Sequence, residues 1–275
     1  MTPLDRRRPR PMPTGRVRFR PAAPQTEVMD VQPPPGRFDP IAIRFPRPDA
    51  GAGVVHVGAH TGEELELYIA SGFRKILLVE ANPAVIPRLS MHAWFWRAWL
   101  ERLTDQWGVT APDIRVLHAA ASDEAGIRPF FVSPFPVLSS LLEPLTGAFG
   151  TPTARLVPSA RVDDLVAQVG WAHADVGLVV IDAQGAEMVV LRGAAETLRN
   201  AHGVVAEVNF HVRYRHQAPP HTVIGHLTGL GFTRAEVIDR DDTVGRVTVL
   251  FERDPAATPP PEEIPAPEET PAPTQ

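Results

Sequence analysis

The segment Val54-Val-His-Val57, a two-glycine turn, and Ile76-Leu-Leu-Val-Glu80 constrain this chain more than any other feature. Both runs are short, apolar and rich in branched side chains. That composition predicts strands buried on both faces, as in a parallel sheet. Between them, residues 63–71 carry Leu65, Leu67, Tyr68 and Ile69 on a helical pattern that stops at Gly72. Strand, helix and strand within so short a span make one βαβ unit, whose crossover is right-handed.

The pattern continues along the chain. A long helix is expected from about Pro83 to Gln106, a third strand over 114–120, and a short helix over 162–169. A fourth strand is expected over 177–182, a helix over 186–200, a fifth strand over 203–210 and a helix over 221–230. Two closing strands, 232–238 and 246–252, flank a polar turn. Alternating strands and helices ending in a hairpin predict a doubly wound, mostly parallel α/β sheet with a closing antiparallel β-hairpin. Residues 121–160 hold six prolines and read as irregular; so long a loop in a compact domain is usually functional.

Composition divides the chain. Of 31 prolines, 12 lie in residues 1–50 and 8 in residues 254–275. The first 50 residues carry ten Arg against five acids, and the last 22 carry five acids and no base. Neither end can bury enough apolar surface to offset its ordering entropy. The expected organisation is a disordered Arg/Pro-rich tail over 1–40, a catalytic-type domain over 41–253, and a disordered Pro/Glu-rich tail over 254–275. There is no cysteine, which excludes disulfides, Cys-ligated metals and thiol nucleophiles. No apolar run reaches the roughly 18 residues of a membrane span. A net charge of −5 gives no reason to expect nucleic acid or membrane as partner. The expected location is cytoplasmic.

In open α/β sheets the ligand sits at the carboxyl ends of the strands. Here those ends carry His56 to Gly62, Glu80 to Asn82, Ala120 to Asp123, Asp182 to Glu187, and Glu207 to Asn209. A glycine turn lets a ligand approach the backbone. An acid closing the second strand can accept both hydroxyls of a ribose. Together they point to a nucleoside ligand. The turn reads G-x-x-x-G, with His60 where a pyrophosphate-binding G-x-G-x-x-G has its middle glycine, so a ligand without phosphates fits better.

The stretch VVHVGAHTGEELELYIASGFRKILLVEANP resembles the opening of the FkbM-type methyltransferase family. VLHAAASDEAG, VLSSLL, VPSARVDDLV, LVVIDAQGAEMVVLRGAAETL and VVAEVNF resemble its later segments, in order, over about residues 52–252. The resemblance implies a Rossmann-like class I methyltransferase fold, S-adenosylmethionine as cofactor, and O-methylation of a hydroxyl on a sugar or natural-product-type acceptor. It also implies roles. Gly58, Ala59, His60, Thr61, Gly62 and Glu63 would cradle the methionine part of the donor. Glu80 would hold the ribose, Ala81 and Asn82 would flank the adenosine, and Ser122 and Asp123 would lie near the adenine edge. Asp182 would stand near the transferred methyl. Gln184, Glu187, Glu207 and Asn209 would face the acceptor. Most members have an acid where this chain has His56.

Asp182 is the first candidate for general base, with His56 and His60 behind it; each His has a structural alternative at a strand end. No dedicated metal-binding spacing is present, and no metal is expected. The helix with Trp94, Trp96 and Trp99 has His92, Trp96, Trp99 and Leu103 at helical spacing, and that face reads as packed on the sheet, an acceptor platform, or a contact between two copies in a homodimer. Two other functions fit the same pattern less well: a nicotinamide-dependent oxidoreductase, and a catalytically silent nucleoside-binding module.

Overall fold

The computed structural model describes residues 52–108, 110–145, 150–242 and 245–254. The tail expectations, apart from Asp254, lie outside the described residues.

β1 (Gly53–Val57) is buried at all five positions and pairs in parallel with β2 (Lys75–Glu80) on one side and β7 (Val176–Ile181) on the other. β3 (Asp113–His118) extends the sheet beyond β2, and β8 (Gly203–Asn209) extends it beyond β7. β10 (Arg246–Glu252) runs antiparallel to β8 and to the outermost strand, β9 (Arg234–Asp241). The order is β3-β2-β1-β7-β8-β10-β9. This is the doubly wound sheet with a closing hairpin that the sequence pattern predicts.

Side chains alternate across this sheet. Val54, Ile76, Leu78, Leu178 and Val180 meet Leu65 and Tyr68 of α1 (Leu65–Ala70) and Leu89, Ala93 and Leu100 of α2 (Ile86–Trp107). Val55, Val57, Leu77, Val79, Val179 and Ile181 form the other layer. There they meet α3 (Val162–Gln168), α4 (Glu187–Arg192), α5 (Ala195–Asn200) and α6 (Pro220–Gly229). Burial on both faces explains why the central strands read as unbroken apolar runs. Among the described residues, no helix is long and apolar enough to cross a membrane.

Three expectations need correction. Residues 121–160 are not irregular: β5 (Gly126–Val132) and β6 (Thr153–Ala160) pair antiparallel, and β6 also pairs with the two-residue β4 (Ala120–Ala121). Prolines at 129 and 158 hid these strands. They are tolerated because β5 is an edge strand and β4 pairs only with Ser159 and Ala160. The expected third strand therefore ends at His118, and Ala120 belongs to the second sheet. The helix over 186–200 is two helices. It breaks at Gly193, where a Cβ would lie 1.9 Å from the Ser122 carbonyl oxygen.

Candidate active site

The turn after β1 is shaped by close approach. A Cβ on Gly58 (φ +81°) would stand 1.9 Å from the carbonyl oxygen of Asp182, so the ends of β1 and β7 can meet only through glycine. His60 (φ 45°) and Gly62 (φ 83°) are also left-handed. Three groups hold this unusual backbone. Glu80 accepts the His60 N–H at 2.8 Å on Oε2 and the Asn82 N–H at 2.6 Å on Oε1. Glu63 accepts the Thr61 hydroxyl at 2.6 Å and the Thr61 N–H at 3.2 Å, and lies 2.8 Å from His60 Nδ1. From α2, His92 Nδ1 lies 3.1 Å from the Thr61 carbonyl.

The electrostatics follow from these contacts. Burial raises the Glu80 carboxyl above its ordinary pKa, although the backbone N–H groups of Asn82, His60 and Ala81 pull the other way. For Glu63 burial also pushes upward, but the hydrogen bonds from Thr61 and His60 outweigh it and hold the group below its ordinary value.

His56 sits elsewhere. Its Nδ1 is 3.1 Å from the Tyr68 hydroxyl and 3.8 Å from Glu64, on the α1 side of the sheet. Its ring meets Tyr68 edge-on, and burial lowers its pKa to about 4. It does not line the cleft described next.

A cleft opens at the carboxyl ends of β1, β2 and β7. Its apolar walls include Ala119, Ala120, Ala121, Phe130, Val137 and Leu141, and its polar groups are His60, Glu80, Ser139, Asp182 and Gln184. Among the described residues, no Lys or Arg lines it. The Ser139-Ser140 segment closes one side. Ser139 Oγ accepts the Ser133 N–H at 3.1 Å and the Asn82 amide at 3.4 Å, and Ser140 Oγ donates to the Ala183 carbonyl at 3.4 Å. The Tyr214 hydroxyl donates to the Leu138 carbonyl at 3.0 Å and latches this segment to the loop after β8.

Gly58, His60, Glu80, Ala81, Asp182 and Gln184 all reach the cleft. Ser122 and Asp123 do not line it. Ser122 is fully buried, and Asp123 is paired with Arg128 at 3.2 Å and Arg192 at 3.3 Å, leaving Ala120 and Ala121 as the wall.

Beside the cleft three acids are packed together. Gln184, itself left-handed (φ 50°), donates Nε2 to Asp182 at 2.5 Å and to Glu207 at 3.1 Å. Asn209 donates to Glu207 at 3.1 Å, and Arg246 lies 3.5 Å from it. Glu187 accepts the Gly185 N–H at 2.8 Å. Burial, with mutual repulsion added, pushes Asp182, Glu187 and Glu207 each up to about 7. The Oδ1 of Asn209 and the Nε of Arg246 are buried with no hydrogen-bond partner among the described residues. Among the described residues no group of three or more His, Cys, Asp or Glu is arranged to hold a metal ion.

Sequence reasoning missed several members. Arg246 lies on the closing hairpin, more than 60 residues from Asp182, and no local pattern announces it. Glu64 looks like an ordinary helix-surface residue, and His92 was legible as part of a helix face but not as a partner of Thr61. Ser139 and Ser140 were legible only through the VLSSLL resemblance. In α2, Trp96 and Leu103 pack on the core, whereas Trp94, Phe95 and Trp99 are 63%, 54% and 46% exposed, so the tryptophans do not share one face.

Residues 56–263 match the family described as the methyltransferase FkbM domain. Among solved structures, the chain is similar to methyltransferase FkbM from Methylobacillus flagellatus KT, at 16% identity and a TM-score of 0.47. That match covers 74% of this chain and 43% of that one, so this chain spans less than half the length of that relative. It is also similar to M. capricolum TrmK in complex with S-adenosyl-homocysteine (7% identity, 79% and 68% coverage, TM-score 0.41). A third is Aeropyrum pernix fibrillarin in complex with S-adenosyl-L-methionine (13% identity, 74% and 67% coverage, TM-score 0.37). No curated protein matches. With a family match over three quarters of its length, this chain belongs to the FkbM methyltransferase family, whose fold is the Rossmann-like class I fold and whose cofactor is S-adenosylmethionine.

Proposed function

We propose that this chain is an S-adenosylmethionine-dependent O-methyltransferase acting on a hydroxyl of a sugar or natural-product-type acceptor. The observation that carries this reading is the cleft itself. A buried carboxylate closes β2, apolar walls flank it, and among the described residues no Lys or Arg lines it. Those groups fit the proposed cofactor. Each Glu80 oxygen uses one lone pair on a backbone N–H and retains another for a ribose hydroxyl. The small side chains of Ala119, Ala120 and Ala121 leave room for a flat base. A pyrophosphate would be poorly served there, which disfavours a nicotinamide cofactor.

When bound, S-adenosylmethionine supplies an electrophilic methyl group on a sulfonium. The protein's part is to orient the acceptor hydroxyl and take its proton. Orientation can contribute up to roughly 7–11 kcal/mol in well-aligned systems. Asp182 is the proposed base: it lines the cleft, Gln184 fixes its orientation, and a pKa of about 7 suits proton transfer near neutrality. The acceptor proton would move to its carboxylate. His56 is assigned a structural role under Tyr68, because it is walled off from the cleft. His60 is assigned to the turn through Glu63. Glu207, Asn209 and Arg246 are assigned to the acceptor side, where Asn209 Oδ1 and Arg246 Nε can serve an acceptor's hydroxyls.

The test is a thermal-shift series with the full chain. A ligand at about 100 times its dissociation constant adds about 2.7 kcal/mol. S-adenosylmethionine and its demethylated product should each raise Tm by several degrees, and NAD should not. Transfer of a radiolabelled methyl group to acceptor fractions then identifies the acceptor. No shift with either form of the donor overturns the reading.

A further inference from the structure

We propose that His92 on α2, held in one tautomer by Trp96, is a positioning residue for the donor-binding turn. The inference rests on the reading above, in which residues 58–63 hold the donor.

The tautomer follows by elimination. The Trp96 indole Nε1–H lies 3.0 Å from His92 Nε2, and an indole nitrogen can only donate. Nε2 must therefore accept, and in a neutral imidazole the proton then sits on Nδ1. That nitrogen lies 3.1 Å from the Thr61 carbonyl oxygen, which can only accept. One orientation and one protonation pattern satisfy both contacts. The Glu66 carboxylate also faces Nε2, at 3.8 Å and beyond hydrogen-bond distance.

The ring also packs on the turn. A Cβ on Gly62 would meet Leu89 Cδ1 at 2.9 Å and His92 Nδ1 at 3.3 Å, so the imidazole lies directly against the turn's second glycine. Trp96 is itself fixed, edge-on to Phe95 and Trp99, with ring centroids 6.0 and 5.4 Å away. The chain Trp96–His92–Thr61 thus transmits the position of α2 to a backbone that already holds His60 and Gly62 in left-handed conformations. Glu80 and Glu63 secure the turn's N–H groups; His92 secures the Thr61 carbonyl. Releasing that carbonyl lets the turn relax away from the donor-binding shape.

Two measurements test this. Long-range 1H–15N NMR of the full-length wild type, with His92→Asn identifying the signals, should show the proton on Nδ1 and a bare Nε2. Calorimetry with S-adenosylhomocysteine should show roughly five- to tenfold weaker binding for His92→Leu, the size of about one lost hydrogen bond. His92→Asn places an amide N–H near the Nδ1 position and should restore most of the affinity. Turnover at saturating donor should fall less than affinity does. A proton on Nε2 in the wild type overturns the proposal whether or not the variants fold. Equal binding by wild type and His92→Leu overturns the proposal but leaves the donor reading standing. A wild type that binds no S-adenosylhomocysteine overturns both.

Discussion

An ideal Cβ on Gly58 would lie 1.9 Å from the carbonyl oxygen of Asp182, so the turn after β1 and the end of β7 are in direct backbone contact. Any side chain at 58 must push β1 from β7 while also adopting φ +81°. Strain and overpacking each cost about 1–3 kcal/mol. Gly58→Ala is therefore expected to destabilise the fold by more than about 2 kcal/mol and to lose donor binding. Chemical denaturation and calorimetry check both; a variant of wild-type stability would contradict the geometry.

Glu80 organises the turn and, on our reading, the ribose. Glu80→Ala leaves the N–H groups of His60 and Asn82 without their acceptor in a buried setting. Each unmet buried donor costs about 1–3 kcal/mol. Lower Tm and loss of most of the donor-induced thermal shift are expected together. Glu80→Gln keeps an acceptor oxygen but adds N–H donors, so it should recover only part of either property.

Asp182→Asn is expected to reduce turnover by about 10²–10⁴-fold while leaving donor affinity nearly intact, if Asp182 is the base. The wild-type rate should rise as pH passes through about 7, because the carboxylate form does the work. The variant should lose that rise. Full turnover with an unchanged pH profile would remove the base assignment.

The three packed acids make a separate expectation for stability. Their folded pKa values, near 7, lie above those of an unfolded chain, near 4. Between about pH 4 and 7 the folded state therefore holds more protons than the unfolded state. Stability contributed by this cluster should fall across that window as pH rises, and level off above it. Glu63, whose pKa is lowered, acts in the opposite sense in acid. Glu187→Gln keeps an oxygen for the Gly185 N–H and removes one charge. It should flatten the fall and raise Tm at pH 8, as denaturation across pH would show.

The central strands β1, β2, β7 and β8 were legible because they are buried on both faces, which writes a continuous apolar run into the chain. The place of Gly58, Glu80 and Asp182 on the cleft was legible because the carboxyl ends of a parallel sheet lie where such runs end. β5 and β6 were not, because Pro129 and Pro158 mimic loop punctuation, and their tolerance depends on which edge is left open. The surroundings of His56, Ser122 and Asp123 were equally hidden. A strand end specifies that a side chain is near the cleft, not which face it leaves by or which arginine will claim it.

The sequence by itself determined the doubly wound main sheet, the family and which polar groups stand at the strand ends, since these follow from local periodicity and motif order. Tertiary structure alone decided which of those groups meet. Gln184 joins Asp182 to Glu207 across 23 residues, and Trp96 and His92 reach Thr61 from a separate helix. Hydrogen bonds and pKa shifts depend on ångström distances and on burial, and both arise only when distant segments pack.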